Sequence, residues 1–195
     1  MHRCDNLTFY PWNEDMKASF IGADAGKYRN VNVAWQTGLV VDEESRANNQ
    51  MSSLGNNEYR RACDYLLFPM VREFAPDVII VSCGFDAGIH DHLGWSKVSP
   101  LMYFYMTAEL LKICNKLVAI QEGGYNLDYL GQHSSGVMNA LLHYGEEFEP
   151  EPTPADKDAG VSCLEDIDGG QAEDWAVANI EETIAAHKPG WQCLN

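Results

Sequence analysis

Two uninterrupted apolar runs, Val78-Ile79-Ile80-Val81-Ser82-Cys83 and Leu117-Val118-Ala119-Ile120, constrain the fold more than any other feature of this chain. Being continuous rather than alternating, each reads as a strand buried on both faces. Between them, Ser99-Pro100 carries the N-cap and first-turn signature of a helix that should run to about residue 115. Strand, crossover helix, strand calls for a parallel α/β sheet.

The flanking segments extend this pattern. Val31-Asn32-Val33-Ala34-Trp35 alternates like a third strand, followed by a polar loop over 38–57. From residue 58 to 74, Ala62, Cys63, Leu66, Leu67, Met70, Val71 and Phe74 recur at helical spacing. Pro69 should kink or interrupt that helix, and Ala75-Pro76-Asp77 should end it. A further helix is expected over 127–144, stopping at Gly145. The acidic stretch 146–158 holds three prolines and reads as a surface linker without an element of its own. A terminal helix is expected over 172–187, with Trp175, Ala178 and Ile184 facing inward.

Composition narrows the function. Thirteen Lys and Arg face 29 Asp and Glu, a formal net charge of −16, so no basic footprint for nucleic acid or an anionic membrane is present. The same charge would attract a basic peptide. No apolar run approaches the roughly 20 residues of a membrane helix. The start of the chain lacks a signal-peptide stretch, so an intracellular location is expected. The six cysteines show no CxxC pairing and read as free, buried thiols.

Ligands of open parallel sheets bind beyond the carboxyl ends of the strands. Gly84-Phe85-Asp86-Ala87-Gly88 and Glu122-Gly123-Gly124-Tyr125-Asn126 occupy those positions here. Asp86 is a hard oxygen ligand for a divalent metal, and Tyr125 offers a hydroxyl to a developing oxyanion. Each also has a plainer reading, as a turn aspartate and as a packed tyrosine. His90-Asp91-His92 could chelate only from an extended segment, and in a loop it reads as solvated polar residues. His2, His133, His143 and His187 have no acidic or cysteine partner at useful spacing and read as surface or packed histidines. No GxSxG elbow and no phosphate loop is present.

Taken in order, His2-Arg3-Cys4-Asp5-Asn6 leading to Phe9-Tyr10-Pro11, Val31-Asn32-Val33, Phe74-Ala75-Pro76-Asp77, Val81-Ser82-Cys83-Gly84-Phe85-Asp86-Ala87 and Glu122-Gly123-Gly124-Tyr125-Asn126 resemble the distal half of a zinc-dependent histone deacetylase domain of the class II branch. His187-Lys188-Pro189-Gly190-Trp191 is similar to tails of that branch. The resemblance implies an arginase-like deacetylase α/β fold with a largely parallel sheet flanked by helices. It implies residues 1–145 as the C-terminal portion of the catalytic domain, 146–170 as the acidic Pro-rich linker and 171–195 as a C-terminal helix and tail. It further implies Asp86 as a zinc ligand and Tyr125 as the catalytic tyrosine that stabilises the oxyanion. Tyr10, Leu93, Gly123 and Gly124 would line the acyl-lysine tunnel. Acetylated histone tails or other acetylated proteins would be the partners, with complex subunits besides, in the nucleus, the cytoplasm or both.

The departure from the family pattern is equally informative. The Asp-x-His ligand pair and the two catalytic histidines have no counterpart before Asp86. Catalytic zinc takes three protein ligands and an open position, so the expectation is a partial catalytic domain that is inactive alone. A pseudoenzyme serving as a scaffold or dimerisation half is one alternative. An acetylpolyamine or other acyl-amide hydrolase of the same family is another.

Overall fold

The computed structural model describes residues 1–38, 44, 52–167 and 171–195. Most of the loop expected over 38–57, and residues 168–170 of the expected linker, lie outside the described residues. The fold is α/β. Strand β1 (His2–Arg3) pairs in parallel with β2 (Ala34–Trp35). Strand β3 (Ile79–Gly84) pairs in parallel with β4 (Leu117–Gly123), in register from Ile79 opposite Leu117 to Ser82 opposite Ile120. The parallel crossover expected between the two apolar runs is therefore present.

The helices form where their signals lie. Helix α1 (Asn56–Ala62) runs through a π-helical turn, Cys63–Leu67, into α2 (Phe68–Phe74). Pro69 supplies no N–H and crowds the carbonyl four residues earlier. The wider π turn just before it absorbs that conflict, so the helix is disturbed rather than broken. Ala75, in the left-handed region at φ 51°, ends it. Ser99 caps α3 (Pro100–Ile113), its hydroxyl accepting from the Met102 N–H at 3.3 Å. Asn126 caps α4 (Leu127–Leu142) through the Asp128 N–H. Helices α3 and α4 approach so closely at Gly136 that a Cβ there would lie 2.1 Å from the Pro100 carbonyl oxygen.

Three expectations need correction. The strands β3 and β4 are not buried on both faces. Val81 and Ala119 pack on the core, whereas Ile80, 67% exposed, Val118 and Ile120 have their side chains largely open. Apolar content alone cannot say whether the second face is covered. Residues 146–158 are also more than a linker, because they contain helix α5 (Pro154–Asp158), whose Ala155 and Asp156 are fully buried. In the terminal helix α6 (Asp174–His187), the buried face is Ala176, Ile180, Thr183 and His187, while Ala178 points outward.

The main core gathers Trp35, Leu54, Leu66, Phe68, Val98, Met102, Ile167 and Ile180 between the helices and the inner sheet face. The tail closes over it: Trp191 donates its indole N–H to the Tyr28 carbonyl at 2.7 Å, and Thr183 bonds Asn32 O at 2.8 Å. The cysteines are free, with Cys4, Cys63 and Cys83 buried and Cys193 exposed. Among the described residues, no helix is long and apolar enough to cross a membrane.

Candidate active site

The register of β3 and β4 decides what meets at their carboxyl ends. A shift between Cys83 and Gly84 brings Gly84 opposite Gly123, and Phe85 N then donates to Gly123 O at 3.2 Å. The segments carrying Asp86 and Tyr125 leave the sheet side by side. A Cβ on Gly123 would lie 3.6 Å from Asp86 Cγ and 3.8 Å from Tyr125 Cε2, so both side chains come within van der Waals reach of this glycine. Gly94 lies against the same segment, where a Cβ would come within 1.7 Å of the Asp86 carbonyl oxygen.

An open cavity of about 470 Å³ fronts this arrangement, and Tyr10, Asp86, Gly123 and Tyr125 line it. Tyr10 is 68% exposed and sets its ring edge-on to Trp12 at 5.3 Å. Two further residues expected at the tunnel, Gly124 and Leu93, are not among the residues that line this cavity. Gly124, at φ +111°, directs its missing side chain toward Leu130 and Phe85, not the cavity. Leu93 is exposed beside the cavity rather than among its lining residues. Its carbonyl accepts from Arg3 Nη1 at 2.6 Å, and that guanidinium also pairs with Asp5 and lies 4.3 Å over the Phe9 ring.

The loop between β3 and α3 is folded back on itself. Ile89 N donates to Val98 O and Val98 N to Ala87 O, and His90 takes a left-handed φ of 72°. The extended geometry that would aim His90 and His92 at one ion is absent. His90 instead bonds Asp158 at 2.8 Å and lies against Tyr129, while His92 faces outward. His133 and His187 are buried and packed, as expected. His143, expected to lack an acidic partner, bonds Glu146 at 2.8 Å and stacks on Phe148.

Asp91 is the residue that the sequence reading missed. It is 3% exposed, and its Oδ1 accepts from the Leu93 and Gly94 amides at 2.8 and 3.2 Å. Its Oδ2 accepts from the backbone N–H of Tyr125 at 2.6 Å. The local signal was available, since an aspartate bonding amides two and three residues on is a common turn device. The bond to Tyr125 has no local signal. Asn126 adds a second tie, its Nδ2 donating to His90 O at 2.8 Å.

Burial raises the Asp86 carboxyl above the usual carboxylate range, and the nearby negative charge of Asp91 adds to the effect, while amides of its own turn oppose it. A cation at this carboxylate would reverse the shift. Among the described residues, however, no three His, Cys, Asp or Glu side chains stand together as metal ligands. Asp86 is one oxygen donor, and catalytic zinc needs three protein ligands. The described residues by themselves do not fit a zinc ion.

Comparison with known proteins gives this geometry its context. A family model described as the histone deacetylase domain matches residues 1–141. Histone deacetylase 18 of Arabidopsis thaliana is 35% identical over 143 residues, covering 73% of this chain and 19% of its own. Histone deacetylase 4 of Caenorhabditis briggsae is 33% identical over 199 aligned residues, 100% of this chain and 19% of its own. The solved structure of the histone deacetylase Clr3 superposes with a TM-score of 0.78 at 29% identity, over 100% of this chain and 27% of that one. The crystal structure of the HDA15 HD domain gives 0.72 at 27% identity, over 99% and 43%. The chain spans about a fifth of the length of these curated relatives.

Proposed function

Because this chain belongs to the histone deacetylase family, we propose that it forms the distal part of a zinc-dependent lysine deacetylase domain, which hydrolyses Nε-acetyl-lysine to lysine and acetate. The observation that carries this reading is the convergence of Asp86 and Tyr125 on Gly123 at the ends of two parallel strands. Residues 1–145 are the catalytic portion in this reading. Asp86 would be one ligand of a zinc whose remaining ligands the described residues do not supply.

The chemistry of this chain's own residues follows from their placement. The Tyr125 side chain is 51% exposed at the cavity, and among the described residues its hydroxyl makes no hydrogen bond. It is therefore available to donate to an acyl oxygen as charge develops there, the role of an oxyanion-hole donor. Gly123 leaves the space between Asp86 and Tyr125 free of a side chain, so an acyl group could approach both. Tyr10 supplies an aromatic wall beside the acyl-lysine stem, and Leu93 stands close to the mouth. The net charge of −16 suits basic substrates such as acetylated histone tails.

Acetate release and zinc content, measured on the protein purified from its natural source, test the reading. An acetylated histone-tail peptide should be hydrolysed faster than acetylspermine, and Asp86→Ala should strip the zinc. No acetate release by the parent protein would overturn the function. Preference for acetylspermine would move it to acyl-amide hydrolysis of polyamines. The 195-residue chain alone should retain far less than one zinc after dialysis, and one tightly held zinc per chain would overturn the single-ligand role of Asp86.

A second reading, a scaffold or dimerisation half, rests on the open apolar side chains of Ile80, Val118 and Ile120. It requires that acetate release be absent while a stable complex forms.

A further inference from the structure

We infer that Asp91 is the positioning residue for Tyr125: its buried carboxylate ties the loop after β3 to the loop after β4 and thereby sets where the Tyr125 hydroxyl stands. The inference rests on the deacetylase reading for its kinetic consequence, but its geometry stands on the structure alone.

Asp91 makes three hydrogen bonds to backbone amides and is almost wholly buried. Two of those amides, Leu93 and Gly94, belong to its own turn, and the third is 34 residues away on the other strand's loop. Local turn formation would need the first two only. The third bond, at 2.6 Å, reaches across to the loop after β4. It falls on the amide of the residue whose side chain does the chemistry, not on a neighbour. On the far side, Asn126 bonds His90 O, so the backbone of Tyr125 is tied to the same loop before and after its Cα. The side chain itself is half open and has no hydrogen bond among the described residues, so the backbone supplies its orientation.

The tie extends in the other direction. Leu93 gives its N–H to Asp91 Oδ1 and its carbonyl to Arg3 Nη1. Arg3 in turn pairs with Asp5, whose other oxygen accepts from the Gly38 N–H at 2.7 Å. A hydrogen-bonded chain therefore runs from Gly38 through Asp5, Arg3, Leu93 and Asp91 to Tyr125. It spans the segment that carries Tyr10, the loop that carries Asp86, and the loop that carries the donor hydroxyl. The segments that carry Tyr10, Asp86 and Tyr125 are thus linked to one another through Arg3, Asp5 and Asp91.

Asp91→Asn isolates the tie. An asparagine that keeps its oxygen on Leu93 and Gly94 presents its NH₂ to the Tyr125 N–H, donor against donor. In the zinc-loaded protein from its natural source, kcat on an acetyl-lysine peptide should fall by about 10-fold or more with KM within about twofold, as for a displaced catalytic group. Zinc content should stay near the parent, whereas Tm should fall, because one buried amide loses its acceptor. The double variant Asp91→Asn/Tyr125→Phe should turn over within about twofold of Tyr125→Phe alone, because positioning a missing hydroxyl has no effect. Amide hydrogen exchange should be faster across residues 123–126.

A merely structural aspartate would instead multiply the two defects, and that result overturns the inference. So does a kcat within about twofold of the parent, or unchanged exchange at Tyr125. If the parent releases no acetate, the deacetylase reading fails, and exchange at Tyr125 alone decides the positional claim. Should Asp91→Asn not fold, Asp91→Glu keeps the charge, moves the carboxylate by one methylene, and is read by the same measurements.

Discussion

Asp156 Oδ1 accepts a hydrogen bond from the Leu101 N–H at 2.7 Å, so a residue of the acidic segment caps the first turn of the crossover helix α3. Its other oxygen accepts from both the Thr153 amide and the Thr153 hydroxyl at 2.8 Å. The carboxylate is fully buried, at a helix N-terminus where negative charge is favoured. Asp156→Ala would leave these donors without an acceptor, at a cost of about 2–3 kcal/mol. Urea unfolding should show the midpoint fall without a change in slope. Asp158→Ala, two residues on and paired with His90 near the surface, should cost under about 1 kcal/mol. Equal losses would refute the capping role.

Two glycines on helix α4 should respond in opposite directions to the same substitution. Gly136→Ala places a methyl 2.1 Å from Pro100 O and 3.1 Å from Phe104 N, backbone atoms that move only if the helices separate. Overpacking of this kind costs about 1–3 kcal/mol. Gly131→Ala meets nothing within 4 Å and should gain about 0.5–1 kcal/mol from helix propensity. Thermal unfolding of both variants checks the sign at each site.

The crossover was legible because its signals are local: two apolar runs, a Ser-Pro cap and a length of chain that allows one topology. The glycine-flanked positions of Asp86 and Tyr125 were legible for the same reason, since strand ends in parallel sheets are where ligands sit. Asp91 and Asp156 were not. Each looked like a solvated acid, and each is defined by an amide 34 or 55 residues away. The open face of Ile80, Val118 and Ile120 was misread because a continuous apolar run does not distinguish a covered face from an open one. Gly124 and Gly123 looked equivalent in sequence, yet one faces Phe85 and Leu130 while the other faces the two site side chains.

Tyr125→Phe removes a single hydroxyl that has no structural partner among the described residues, so stability should be unchanged. In the protein from its natural source, kcat on an acetyl-lysine peptide should drop by about 10²–10³, the usual effect of losing one oxyanion donor. KM should change little, because the hydroxyl interacts mainly with charge that develops after binding. Turnover within a factor of two of the parent would remove Tyr125 from the mechanism.

Two buried imidazoles should make folding stability fall on mild acidification. Burial lowers the His133 pKa below that of a free histidine, a trend that the Tyr129 carbonyl, Asp156 and Asp91 only partly oppose. Burial lowers that of His187 as well, where a backbone contact to Tyr28 opposes it. Both are thus neutral in the folded chain at a pH where the unfolded chain already binds protons. The unfolded state then holds more protons, so stability rises with pH through this window and is complete only above about pH 6.5, the unperturbed histidine value. Burial of His2 adds to this slope in the same direction, and the raised Asp86 carboxyl opposes it. The urea midpoint of the parent should decline between about pH 7.5 and 5.5, on either side of that value, and His187→Gln should flatten the decline. Identical slopes in parent and variant would show that His187 is protonated without unfolding, and the buried, neutral assignment would fall.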